Sequence, residues 1–568
     1  VKSREAGISL EAKSFNRVNA KGQGIVEVDV PKNEQLKFSL SDEEILTLAK
    51  WACLIEEHYK IPQDIEWAKD GQTQQLFIVQ ARPETVHSSK KIEFYEEYRI
   101  KTTQKPILTG LAIGNKIGVG KVRIIPDISQ ILKFQKGEVL VTKMTDPDWV
   151  PAMRIASAIV TNEGGRTCHA AIISRELGIP AIVGTGKATK ILKNGKEITV
   201  DCTTGQGRIF EGKIIFEIKR YDLKNLPKLK TKIMINIGAP EIAFKSSFLP
   251  NDGVGLARIE FILAEKIRVH PLALYHYEQI RNPKSEIRNS KFEIPNKSQI
   301  PNSKFQTIIK QIDKLTIEHK DKREYFIKEL AEGIAQIAAA FWPKPVILRL
   351  SDLKTNEYRA LIGGEIFEPE ESNPMLGWRG ASRYYDEKFK SAFEMECQAI
   401  KRVREVFGLK NIKVMIPFCR TVEEGKKVLQ LMKEYGLEKG KDGLEVYVMC
   451  ELPSNVILAE KFLDIFDGYS IGSNDLTQLA LGLDRDSALV AKVGDERNEA
   501  VKKMISEVIK ICRQKKKYSG ICGDIPSTDV EFAKFLVKEG IESISLSPDA
   551  VIRTILTIAA KEKKLKNK

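Results

Sequence analysis

A chain of 568 residues, 42% of them hydrophobic, can bury several cores, enough for about three to four domains. Its 91 Lys and Arg against 76 Asp and Glu leave a formal charge of +15. The lysines are spread along the whole chain with no aromatic-interleaved basic module, which argues against nucleic acid and leaves a general surface charge that favours anionic substrates. Eight Cys without a CxxC pair argue against a zinc site or a disulfide framework and suit a reducing cytoplasm. The absence of any signal peptide or transmembrane-length apolar run predicts no membrane partner.

Residues 1–87 read as an incomplete domain, and Val1 in place of Met points to a fragment. The first two dozen residues have weak periodicity and no assignment. Ser41-Asp42-Glu43-Glu44 has the pattern of a capped, acidic helix start, leading into an amphipathic helix through Glu57. Strands at Asp64–Trp67 and Leu76–Gln80, joined by a turn at Asp70-Gly71, predict a hairpin. Residues 88–112 are polar and basic and read as a linker. From 113 to 212, short strands alternate with glycine turns and helices: Gly120–Ile125, Val139–Thr142, Ala158–Val160, Ala181–Val183 and Glu197–Val200. A second Lys-rich linker is expected over 213–230. From 231 to 568 eight strand-like runs alternate with helical stretches: Ile233–Ile237, Val254–Arg258, Val346–Leu350, Ile412–Ile416, Glu445–Cys450, Tyr469–Gly472, Ser519–Cys522 and Ser543–Leu546. That repeat predicts a (β/α)8 barrel within an α/β chain. Between its second and third strands, residues 281–307 repeat RNPKSEI, RNSKFEI, PNKSQI and PNSKFQT, a polar, low-complexity insertion expected to be mobile.

Two places carry chemistry. In TNEGGRTCHAAIISR, His169 stands behind a glycine pair at the start of a helical run over Ala170–Leu177. An imidazole nitrogen is a nucleophile at neutral pH, and a phosphoryl group on it would lie near free N–H groups at the positive end of a helix. The second place is the C-terminal ends of the barrel strands, where such folds keep their function. Arg258, Arg349, Glu451, the run Ser473-Asn474-Asp475 and Cys522 each follow or end a strand, and Arg379 lies in a loop after the third. Glu451 and Asp475 are hard oxygen donors suited to Mg²⁺, and arginine forks grip carboxylate and phosphate. A Cys beside such a centre can exchange a carbon-bound proton. The set suits a small 2-oxo acid passing through its enolate. Bland roles remain open: Arg258 as a partner of Glu260, and Cys522 as a small buried residue.

The motifs GGRTCHAAIISRELGIPAIVG, GLARIEFI, RLSDLKTNEYR, NPMLGWRG, DGYSIGSNDLTQL and GICGDIPS, in this order, closely resemble the phosphoenolpyruvate (PEP) synthase (pyruvate, water dikinase) family of PEP-utilising enzymes. IEEHYKIPQDIEWAKDG through LFIVQARPET resembles the end of that family's ATP-grasp domain. The resemblance implies three parts: the C-terminal part of an ATP-grasp domain (1–87), a swivelling phosphohistidine domain (113–212) and a PEP/pyruvate-binding TIM barrel (231–568). It implies the reaction of ATP, pyruvate and water to AMP, PEP and phosphate through phospho-His169. Arg258, Arg349 and Arg379 would bind substrate, with the Gly472 to Asp475 backbone and the Asn474 side chain. Glu451 and Asp475 would hold Mg²⁺, Cys522 would exchange the C3 proton, and Glu66, Gln80 and Arg82 would belong to the ATP end. A cytoplasmic homodimer through the barrel is implied. Pyruvate phosphate dikinase and Enzyme I share this plan, but the Thr167-Cys168-His169 run and the DIEWAKDG hairpin favour the synthase. The family has several hundred further residues ahead of this point, so the chain is expected to carry the PEP/pyruvate half-reaction. The alternatives are a phosphocarrier of the dikinase or Enzyme I type and an inactive fragment.

Overall fold

The computed structural model of this chain describes residues 14–18, 25–29, 40–61, 63–83, 94–100, 102–114, 116–145, 149–164, 169–203, 206–222, 226–281, 301–317, 319–483, 490 and 493–566. It divides into two compact units, 1–94 and 95–568. Among the described residues no helix is long and apolar enough to cross a membrane.

In the first unit, Ser14–Val18, within the first two dozen residues that have no assignment from sequence, pairs antiparallel with Ile25–Asp29 just beyond them. The expected helix runs Asp42–Tyr59 and opens on a reciprocal cap: the Glu44 N–H donates to Ser41 Oγ at 3.2 Å, and the Ser41 N–H donates to Glu44 Oε2 at 2.8 Å. Lys60, with φ 58°, ends it. The expected hairpin pairs Gln63–Lys69 with Leu76–Pro83, and Asp70 Oδ1 organises its turn by accepting from Gln72 N and Thr73 N. Lys69 bonds Glu44 at 2.7 Å, tying hairpin to helix.

The second unit begins with a closed seven-stranded barrel. Its order is Ala181–Val183, Leu108–Ile113, Gln206–Glu211, Glu197–Asp201, Ile117–Ile124, Val139–Thr142 and Ala158–Thr161, which returns to Ala181–Val183. Two of these strands are absent from the sequence reading, and one, Leu108–Ile113, lies in the segment read as linker. The two linkers also pair: Phe94–Ile100 and Phe216–Asp222 form a two-stranded ribbon, bridged by Arg220 Nε to Glu96 Oε1 at 2.8 Å.

The eight expected strands of the larger barrel are all present: β1 (Lys232–Ile237), β2 (Val254–Arg258), β3 (Val346–Arg349), β4 (Ile412–Ile416), β5 (Val446–Cys450), β6 (Gly468–Ile471), β7 (Tyr518–Ile521) and β8 (Ser543–Leu546). They close in chain order with parallel pairing throughout, β8 meeting β1 with Leu546 opposite Ile235. Alternation sorts each strand. Met234, Leu256, Ile347, Met415, Tyr447 and Met449 fill the interior with Cys522. Their neighbours Ile233, Ile235, Ala257, Leu348, Val414 and Val448 join the helices in the main core.

The insertion departs from expectation at its end. Residues 282–300 lie outside the described residues, but 302–307, read as part of a mobile loop, begin the helix Asn302–Leu315. Phe305, Ile308, Ile309 and Ile312 recur at helical spacing and are buried in the main core. The last repeat unit therefore contributes packing.

Candidate active site

β2, β3, β5, β6 and β7 all end on one cavity of about 570 Å³ at the C-terminal mouth of the larger barrel. Arg258, Arg349, Arg379, Glu451, Gly472, Asn474, Asp475 and Cys522 line it, so the sequence-predicted barrel residues other than Ser473 meet in one place. Ser473 is buried at the head of the helix Ser473–Ala480, directly behind them.

The arginines differ in what they have left to offer. Arg258 ends β2 half-buried, and its side chain makes no ion pair or hydrogen bond with the described residues. Glu260, an obvious partner in sequence, is taken by Arg349: NH2 lies 2.9 Å from Glu260 Oε1. The same oxygen accepts from the Asp352 N–H at 2.8 Å. Arg349 Nε is buried without a hydrogen-bond partner. Arg379 is committed through a fork to Asp352, Nε to Oδ1 at 3.0 Å and NH2 to Oδ2 at 2.5 Å, with NH1 3.6 Å from Asp475 Oδ1. Arg379 thus braces the acidic side, while Arg258 keeps its fork available for an anion.

The acidic side is crowded. Glu451 is buried beside Asp475 and Asp352, and burial, reinforced by those carboxylates, pushes its carboxyl up to about 8. Its Oε2 accepts from the Phe418 N–H at 2.8 Å. A Cβ at Gly472 would stand 2.7 Å from Glu451 Cγ and 3.0 Å from Oε1, so glycine is what lets the β6 backbone pass this carboxylate. Asn474 donates from Nδ2 to Asp524 Oδ2 at 3.3 Å, while its Oδ1 and Ser473 Oγ are buried without partners. Among the described residues no group of three or more His, Cys, Asp or Glu is arranged around a metal position. Glu451 and Asp475 form the pair of hard donors that such a cation, with waters, would use.

Cys522 follows β7 into the cavity, almost fully buried, with Sγ 3.7 Å from the Ile471 carbonyl it donates to. Burial pushes its thiol up to about 11, against the opposing pull of Ser470, Arg349 and Arg258. A thiol raised to about 11 keeps its proton at neutral pH, and Cys522 stands in the cavity lining.

The other predicted residues stand elsewhere. His169 is the first residue of the helix His169–Leu177. Its side chain and residues 165–168 of the glycine stretch lie outside the described residues. Gly164 before them has φ 114°. Glu66 and Gln80 oppose each other across the first unit's hairpin, and Arg82 forks to Asp64 at 3.0 and 2.9 Å there. Sequence reasoning missed Asp352 and Phe418. Asp352 could have been found three residues past Arg349 in RLSD; Phe418, in an apolar run, gave no signal.

Residues 217–563 match the PEP-utilising enzyme, PEP-binding domain; residues 134–205 match the PEP-utilising enzyme, mobile domain; residues 3–101 match the pyruvate phosphate dikinase, AMP/ATP-binding domain. The chain is 56% identical to the phosphoenolpyruvate synthase of Aquifex aeolicus (strain VF5), over 95% of this chain and 67% of that protein. It is 52% identical to the phosphoenolpyruvate synthase of Synechocystis sp., over 95% of this chain and 64% of the relative. For that of Escherichia coli (strain K12) the figures are 50%, 94% and 64%. The chain thus spans about two thirds of the length of these relatives.

Proposed function

This chain belongs to the PEP-utilising enzymes, and on that premise we propose that it works as a phosphoenolpyruvate synthase, carrying in its second unit the half-reaction between PEP and pyruvate. The full reaction takes ATP, pyruvate and water to AMP, PEP and phosphate through phospho-His169. The hairpin residues Glu66, Gln80 and Arg82 serve its nucleotide end. The observation that carries the reading is the cavity at the barrel mouth, where Arg258, without a partner among the described residues, the buried Glu451 and Asp475, and the Cys522 thiol converge.

In the direction of pyruvate formation, Arg258 and Arg349 hold the carboxylate and phosphoryl groups of PEP, with the Gly472 to Asp475 backbone and Asn474 completing the cradle. An imidazole nitrogen of His169 attacks phosphorus, the bridging P–O bond breaks, and its electron pair stays on oxygen as the pyruvate enolate. The Cys522 thiol gives its proton to C3. In synthesis the thiolate removes a C3 proton and the enolate oxygen takes the phosphoryl group. Glu451 and Asp475 fit Mg²⁺ as neighbouring hard carboxylate donors, and they would hold it: a cation bound there would offset the burial, and the added repulsion of Asp475, that together raise Glu451. When bound it supplies Lewis-acid stabilisation of enolate charge. The 113–212 segment swivels His169 between its two sites, and the barrel pairs two copies into a cytoplasmic homodimer.

With phosphorus-labelled PEP and Mg²⁺, the chain is expected to take label on His169 and release pyruvate, and His169→Ala to take none. Cys522→Ala is expected to lose solvent exchange of pyruvate methyl protons, read by proton NMR. A wild-type chain that takes no label refutes the proposal. Label that passes to another protein's His and never back to pyruvate assigns a phosphocarrier instead.

A further inference from the structure

β4 ends at Ile416, and two residues later Phe418 takes φ 45°, in the left-handed region where a Cβ crowds the backbone. Its ring is buried, and it is not part of the cavity lining. Strain of this kind persists where the surroundings over-determine it, and it concentrates at working sites.

Two contacts follow from the conformation. The Phe418 N–H donates to Glu451 Oε2 at 2.8 Å, which fixes one carboxylate oxygen. The Phe418 ring lies under the Arg379 guanidinium, 4.2 Å from its centre. Arg379 in turn forks to Asp352 and approaches Asp475 at 3.6 Å. The loop that carries Arg379 is held from the same place: Arg420, itself 4.8 Å over the Phe418 ring, donates to the Gly377 carbonyl at 2.5 Å, the Leu376 carbonyl at 3.2 Å and Ser382 Oγ at 3.0 Å. Gly380 admits the approach, since a Cβ there would stand 2.6 Å from both Phe418 Cβ and the Pro417 carbonyl oxygen.

One residue outside the cavity therefore touches both acidic arms: Glu451 through its backbone, and Asp352 and Asp475 through the cation on its ring. We propose that Phe418 is a positioning residue that holds Glu451 and Asp475 in the mutual placement a divalent cation requires. The inference rests on the functional reading above and adds a residue to it. The backbone contact belongs to any residue at 418, so the ring is the part a substitution can test.

The test compares ring-less Phe418→Leu and Phe418→Met with ring-keeping Phe418→Tyr in the full chain. All three are non-glycine and bear the same backbone strain. Mn²⁺ is the probe, read by the electron paramagnetic resonance of the free ion without PEP, and by the Mn²⁺ level that half-saturates label transfer from PEP. Leu and Met are expected to raise both levels about tenfold while still folding with a cooperative melt, and Tyr to stay near wild type. Arg379→Lys, which leaves Phe418 in place but lacks fork and stack, is expected to shift the same two readings. Wild-type Mn²⁺ levels in the folded ring-less variants, or in Arg379→Lys should those not fold, overturn the inference alone. A wild-type chain that neither binds Mn²⁺ nor takes label overturns the functional reading and the inference with it.

Discussion

Glu396 shows how far a single buried residue departs from its sequence appearance. In the helix Lys390–Glu405 it reads as one more surface acid, yet it is buried and accepts from Ser351 N at 2.9 Å and Ser351 Oγ at 2.7 Å. Burial pushes its carboxyl from 4.5 up to about 7. The unfolded chain loses this proton near pH 4.5 and the folded chain near 7, so between them the folded state binds more protons. This contribution to stability is full below about pH 4.5, falls by about 3 kcal/mol as pH rises to about 7, and is flat above. Glu396→Gln, which can still meet Ser351, is expected to flatten that slope in melting temperatures measured against pH; an unchanged slope would refute the assignment. Arg258 and Arg379 make the same point from the other side. Both are conspicuous in sequence as anion binders, and partner geometry alone separates the fork without a partner among the described residues from the committed one.

At the scale of elements, what was legible depended on whether a segment carries its own signal. The eight strands of the larger barrel are covered on both faces and read as apolar runs, so all were visible. Leu108–Ile113 and Gln206–Glu211 were not, because Gly110 and Gly207 interrupt them. Those glycines sit opposite each other under Ile182, whose side-chain atoms would stand 2.7 and 2.6 Å from an added Cβ. A glycine demanded by a distant side chain is indistinguishable in sequence from a turn. The ribbon of Phe94–Ile100 and Phe216–Asp222 was hidden likewise, since each polar strand pairs with one more than a hundred residues away. The insertion erred in the other direction: repetition masked the helical period that begins at Asn302. Phe305→Ala is expected to destabilise the barrel by about 3 to 5 kcal/mol in chemical denaturation, as for a packed core aromatic. A neutral result would return residues 302–307 to the solvated loop first expected.

At the scale of the molecule, the two compact units meet the chemistry unequally. His169 and every residue of the barrel cavity belong to 95–568, and the hairpin carrying Glu66, Gln80 and Arg82 belongs to 1–94. A chain of residues 95–568 is therefore expected to take label from PEP as the longer chain does, measured by the same transfer assay, and loss of transfer would show that the first unit takes part in the PEP half-reaction. Sequence by itself determined the barrel, its eight strands, the residues at their mouths and the family, because apolar alternation and short motifs are local and survive without coordinates. Only the tertiary structure decided that Arg258 has no partner among the described residues, that Arg379 forks to Asp352 and the Phe418 N–H meets Glu451, that the linkers pair and that the last repeat unit packs. Each of these depends on distance between segments far apart in the chain, and no local pattern encodes which charge a given charge will meet.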